Sequence, residues 1–132
     1  MHTTVITTTL LLAMATTAQA SSFHRIPESD RAILHRVAHE YKLTPQERRL
    51  LFVIRIAENG GAGREMGVLT EQAQRYKGDH NKSLRLQAQW TAGTIKKRYN
   101  GNLKAFADRW CPPHLHELNR HWLKNVKSIL SE

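Results

Sequence analysis

The chain has 132 residues, with 20 Lys and Arg against 11 Asp and Glu and a formal net charge of +9. That length suffices for one compact domain and not two, and Cys111, the single cysteine, rules out an intramolecular disulfide. So basic a chain suits an anionic partner: cell-wall polymer, membrane surface or nucleic acid.

Residues 1–20 read as a removable signal. Val5 to Ala15 is a short, Thr-rich apolar segment, and Ala18-Gln19-Ala20 has the small-x-small form of a cleavage site. No Lys or Arg precedes the apolar run, only His2, which departs from the usual signal pattern. The segment is too short and too rich in Thr for a membrane span. The mature domain, residues 21–132, is therefore expected to be exported, periplasmic or secreted, with no span after cleavage.

Residues 21–27 form an extended lead-in ending at Pro27. Ser29 or Asp30 is placed to cap a first helix to about Tyr41, with Ile33, Leu34, Val37, Ala38 and Tyr41 on one stripe. Thr44-Pro45-Gln46-Glu47 is a complete helix-start signal: a capping hydroxyl, a proline at the first helical position and a capping-box glutamate. From Leu50 to Ala57 only Arg55 is polar, so this second helix is expected to be buried on most sides. Asn59-Gly60-Gly61 stops it, because Gly tolerates the left-handed conformation of a helix C-cap.

Glu58 falls in that last turn, on a stripe with Leu51 and Ile54. The negative end of the helix dipole and the aliphatic neighbours both disfavour a charged carboxylate there. A carboxyl that keeps its proton is what a general acid requires. The alternatives are a Glu58 that reaches solvent or pairs with Arg55 or Arg64.

Glu65 to Leu69 reads as a short strand or tight loop, and residues 70–82 as a polar surface excursion around Gly78-Asp79. Ser83 opens a helix through Tyr99 with Leu84, Ala88, Ala92, Ile95 and Tyr99 at helical spacing, and Asn100-Gly101 ends it. Asn102 caps a short helix holding Leu103, Phe106, Ala107 and Trp110, terminated by Pro112-Pro113. A last helix from about Asn119 to Leu130 carries Trp122, Val126, Ile129 and Leu130 on its inner face. The expected fold is mainly α: about five helices with a small irregular or β-hairpin insert after the second.

The order of these parts resembles the lysozyme-like superfamily, in the branch of lytic transglycosylases and phage-type muramidases. The matching residues are Glu58 in IAENGG, then Gly67-Val68-Leu69-Thr70, then RYNGNLKAFADRW, spanning roughly residues 45–113. The chain departs from the family pattern at Asn59, where Ser is usual, and at Thr70, where Gln is usual. Trp110-Cys111-Pro112-Pro113 replaces a Tyr-Asn-Ala-Gly turn.

The resemblance implies a peptidoglycan-cleaving glycosidase with Glu58 as general acid and base on the bond between N-acetylmuramic acid and N-acetylglucosamine. Glu65, then Glu71, are the candidates for a second carboxylate, and the plainer reading of Glu65 beside Arg64 is an ordinary loop ion pair or a loop-stabilising acceptor. Substrate contacts are expected from Asn59, Thr70, Gln87, Trp90, Tyr99 and Trp110, the aromatic members serving equally well as core. Trp122 is assigned to the core.

No cofactor is expected. Cys111, His114, His116, His121 and Glu117 are metal-capable, but their spacing fits no standard site. The expected partner is a peptidoglycan glycan strand, with an envelope protein as a possible second. Two rival functions remain: a non-catalytic basic envelope-binding domain, and a nucleic-acid-binding module using Arg48-Arg49 and Lys96-Lys97-Arg98. The export signal argues against nucleic acid.

Overall fold

A computed structural model describes residues 24–112, 114 and 116–132. The expected signal, residues 1–20, lies outside them. The described chain is mainly α, with helices α1 (Glu28–Glu40), α2 (Pro45–Glu58), α3 (Glu71–Arg75), α4 (His80–Arg98), α5 (Leu103–Trp110) and α6 (His116–Leu130). None of these helices is long and apolar enough to cross a membrane.

The bundle forms around α2. Leu50, Leu51, Phe52, Val53 and Ile54 are each at most 1 % exposed, so five successive residues face protein on every side of this helix. It packs against α1, α4 and α6, while α1 also lies along α4 and α5 lies against α6. Leu34 and Val37 of α1, Leu84, Ala88, Ala92 and Ile95 of α4, Phe106 of α5, and Val126 and Ile129 of α6 complete the core.

Local chemistry sets the helix ends. The Thr44 hydroxyl accepts from Glu47 N at 3.2 Å and the Glu47 carboxylate accepts from Thr44 N at 2.8 Å, closing the expected capping box. Lys96 ties this corner to α4 by donating to Lys42 O at 2.8 Å and approaching Glu47 at 3.5 Å. Burial opposes charge on Glu47, but the Thr44 bonds and Lys96 outweigh it and hold the carboxyl below its ordinary value. A lowered folded value means this stabilisation is present above the unfolded pKa and lost as pH falls through the folded one. Thr44→Ala should cost about 1 kcal/mol at neutral pH. The deficit relative to wild type should shrink in acid, as read by urea denaturation at several pH values.

Some helix starts differ from expectation. The first helix begins at Glu28 behind Pro27, and no side chain caps it. Asp30 is instead drawn inward, 2 % exposed, by an ion pair with Arg55. Asp79 caps α4, with its carboxylate accepting from Lys82 N, so the helix starts at His80 and Ser83 is buried inside it. The last helix starts at His116, three residues before the expected Asn119.

The insert after α2 contains no strand, so the hairpin alternative is set aside for an irregular loop, residues 59–70, followed by α3. Buried polar groups hold this loop in place of a sheet ladder. Gln87 Oε1 accepts from Met66 N at 2.8 Å and Val68 N at 3.4 Å, and Gln74 donates to Gly63 O at 2.6 Å. Arg55 donates to Glu65 O at 3.1 Å. Thr70 caps α3 through Ala73 N.

Candidate active site

Glu58 is the last residue of α2. Asn59 follows with φ 38° and ψ 43°, so the left-handed cap falls on Asn59 itself and not on the glycines after it. Ending the helix there leaves the Glu58 side chain partly buried at the edge of the core. Two indoles meet it: Trp110 Nε1 donates to Glu58 Oε1 at 3.1 Å and Trp122 Nε1 donates to the same oxygen at 2.9 Å. Both donors fall on Oε1, so the two indoles fix the orientation of the carboxyl through one oxygen.

Gly67 packs directly against that carboxyl. Its φ is +74°, and a Cβ placed there would lie 2.5 Å from Glu58 Oε2 and 2.7 Å from Cδ. Glycine is therefore required twice over, for the backbone conformation and for the space. Gly67→Ala should displace the Glu58 carboxyl from its indole donors. We expect a stability loss of about 1–2 kcal/mol from the left-handed strain and loss of any activity that depends on Glu58. A crystal structure of the variant with both indole bonds intact would contradict this.

An aromatic cluster holds the two donors. Phe106, fully buried, stacks on Trp110 with ring centroids 5.6 Å apart and lies 6.0 Å from Trp122. Asn119, 4 % exposed, locks α6 to the end of α5 by donating to Ala107 O, Asp108 Oδ1 and Cys111 O. That clamp brings indoles from two helices onto one oxygen. Cys111 sits at the same junction. Burial first, and then the Glu58 carboxylate, push its thiol up from the ordinary value, so it remains protonated and a poor nucleophile.

Beside this group opens a cleft of about 350 Å³ lined by Trp90, Thr94, Lys97, Arg98, Arg109 and Trp110. Trp90 is 49 % exposed and meets Trp110 edge-on at 5.6 Å. Trp110 therefore belongs to both features: its N–H touches Glu58 and its ring forms a wall of the cleft. A smaller cavity of about 200 Å³ is lined by Arg25, Ile26, Arg55, Ile56 and Asn59.

The other expected site residues fall elsewhere. Glu65 is 1 % exposed, and its carboxylate accepts from Ser83 Oγ at 2.8 Å, Gln87 Nε2 at 2.6 Å and Gly63 N at 3.3 Å. His80 Nδ1 approaches it at 3.4 Å. So many donors make Glu65 an anchor of the loop, and it shares no partner with Glu58. Gln87 is fully buried with both polar atoms bonded inside the protein, so it supports the loop and is closed to substrate. Thr70 caps α3, and Tyr99 packs edge-on against Phe106. Asn59 is exposed and borders the smaller cavity.

Among the described residues, no three His, Cys, Asp or Glu side chains are placed to hold a metal ion. Trp122 is the residue that sequence reasoning missed. Its place on the apolar stripe is observed, since it packs on the core. The overlooked signal is that a buried indole N–H needs an acceptor. Comparison with protein-family models gives no match, and neither do comparisons with curated proteins and with solved structures.

Proposed function

We propose that this chain is a peptidoglycan-cleaving glycosidase of the lytic transglycosylase type, acting outside the cytoplasm on a lysozyme-like helical scaffold. The observation that carries the reading is the Glu58 carboxyl: it ends a buried helix at the edge of the core, and two indole N–H groups from different helices fix its position through one oxygen.

In the proposed reaction, Glu58 gives its proton to the oxygen linking N-acetylmuramic acid to N-acetylglucosamine, and the C1–O bond breaks. The carboxylate so formed then takes a proton from the muramic acid 6-hydroxyl, whose oxygen closes on C1. Glu58 is thereby reprotonated, and the product is a 1,6-anhydro sugar with no water consumed. A hydrolase of this kind ordinarily needs a second carboxylate, about 5–5.5 Å away for retention or about 6.5–9.5 Å for inversion. Glu65 is the near candidate in sequence, and its oxygens are engaged by Ser83, Gln87 and Gly63. The single-acid route therefore fits these residues better than the hydrolytic one.

The test is release of soluble fragments from purified peptidoglycan by the mature domain. Release supports the enzyme. Tight binding without any release would favour the rival, a basic envelope-binding domain that uses the cleft alone.

A further inference from the structure

A histidine joins two buried carboxylates behind the loop. Asp30 of α1 and Glu65 of the loop are 2 % and 1 % exposed, and the His80 ring at the start of α4 lies between them. Its Nε2 is 2.8 Å from Asp30 Oδ1, and its Nδ1 is 3.4 Å from Glu65 Oε1. Each ring nitrogen thus faces a carboxylate oxygen, and only the imidazolium, with an N–H on both, can donate to both. A neutral ring turns a lone pair toward one of the two carboxylates. The ring is half exposed, so its proton exchanges freely with solvent.

Charge balance points the same way. The two buried carboxylates share one buried guanidinium, Arg55 of α2, which pairs with Asp30 and donates to the Glu65 carbonyl. With His80 neutral the cluster carries one net negative charge, and with His80 charged it carries none. The other charged groups at this corner have their own places. Glu71 and Arg75 of α3 pair with each other, and the stem of Lys77 lies against Gly63. The Asp79 carboxylate caps α4 through Lys82 N, while the Lys82 ammonium lies over the Tyr76 ring. Arg31, beside Asp30 on α1, stands near His35, and α5 meets only the far half of α4, at Trp90.

We propose that His80 is a pH-sensitive latch on the candidate active site: as imidazolium it ties α1 to the 59–70 loop and so holds Gly67 against Glu58, and on losing its proton it slackens that loop. Glu65 lies two residues before Gly67, whose backbone fills the space beside Glu58 Oε2. His80 touches neither Glu58 nor any reacting atom and acts as a positioning residue through this short stretch. The charged ring is the form present in acid, so the latch is closed at low pH and opens as pH rises. That is the same direction in which a carboxylic acid keeps its proton. The consequence for turnover rests on the glycosidase reading; the latch itself does not.

The experiment measures amide hydrogen exchange at Met66 and Val68, whose N–H groups bond to Gln87, in full-length wild-type, His80→Gln and His80→Arg proteins. Glutamine is neutral at every pH and arginine charged at every pH. Each variant is compared with wild type at about pH 5 and at about pH 8, the two sides of the range in which an imidazole changes charge. Comparison at equal pH cancels the ordinary pH dependence of exchange.

At about pH 5 both amides should exchange about tenfold faster in His80→Gln than in wild type, and at about pH 8 at nearly the same rate. His80→Arg should match wild type in acid and exchange more slowly than wild type at about pH 8. That second comparison decides alone if His80→Gln does not fold. A ratio of His80→Gln to wild type that is equal at both pH values would show that the ring acts by shape, and would overturn the proposal. Protection in His80→Arg no better than wild type at the higher pH would overturn it too. On soluble glycan strands, kcat of His80→Gln should fall below wild type in acid and match it at about pH 8, with KM unchanged. Failure of wild-type protein to cut peptidoglycan would instead reject the catalytic reading, and the exchange rates would still decide the latch.

Discussion

Replacing Glu58 with Gln is expected to slow cleavage of peptidoglycan by about 10²–10⁴-fold, the range ordinarily carried by a positioned general acid. The substitution is nearly isosteric. A Gln carbonyl oxygen can still accept from Trp110 and Trp122, so the indole clamp and the end of α2 should persist. Only the exchangeable proton is lost. Melting temperature should therefore move by no more than a few degrees while activity collapses. Full activity in the folded variant would remove Glu58 from the reaction.

The largest expected effect on stability comes from Arg55→Met. Arg55 is the polar residue in an otherwise apolar stretch of α2, and it is 8 % exposed. One of its nitrogens pairs with Asp30 Oδ2 at 3.2 Å, and another donates to Glu65 O at 3.1 Å. His80 bonds the second oxygen of Asp30 at 2.8 Å, so helices α1, α2 and α4 and the loop meet at this cluster. Methionine preserves much of the apolar stem and leaves Asp30 buried without its main counter-charge. Breaking a buried pair in this way costs about 3–5 kcal/mol, a large part of the roughly 5–15 kcal/mol that holds such a domain folded.

Arg55 Nε has no hydrogen-bond partner among the described residues, so removing the side chain also relieves one buried unsatisfied donor. The pair itself is therefore worth less than its rupture costs. Arg55→Met combined with Asp30→Leu should recover much of the loss, because both charges are then gone. Thermal melting of the single and double variants checks both statements. A drop of only a few degrees in the single variant would show that the cluster adds little.

The sequence made the central helix legible because its signals are local and agree with one another. Thr44, Pro45 and Glu47 specify the start, and the apolar run from Leu50 implies burial. Asn102 as a cap and the aliphatic stripes of α1, α4 and α6 were legible for the same reason. Starts were misplaced where a candidate cap is used for something else. Asp30 looks like a capping residue, yet its charge is held inside by Arg55 and His80. Ser83 also resembles a cap, but it lies in the helix and donates to Glu65.

Side-chain partners far apart in sequence could not be read in advance. Trp110 and Trp122 reach Glu58 across 52 and 64 residues, and only the packing of α5 on α6 brings them together. The roles of Gln87 and Glu65 were hidden likewise, since an amide and a carboxylate suit a sugar site as well as a loop anchor. Here burial decides, because both are closed inside the protein. The cleft cations were visible as a charge run at Lys96-Lys97-Arg98, but its division was not. Lys96 turns to Glu47 and Lys42, while Lys97 and Arg98 face the cleft with Arg109.

The most direct test of single-acid catalysis by Glu58 is mass analysis of the fragments released from purified peptidoglycan by wild-type protein and by the Glu58→Gln variant. The account predicts 1,6-anhydro ends, lighter by one water than hydrolysis products, from the wild type, with almost none from the variant. Reducing-end products from the wild type, or undiminished release by the variant, would contradict it.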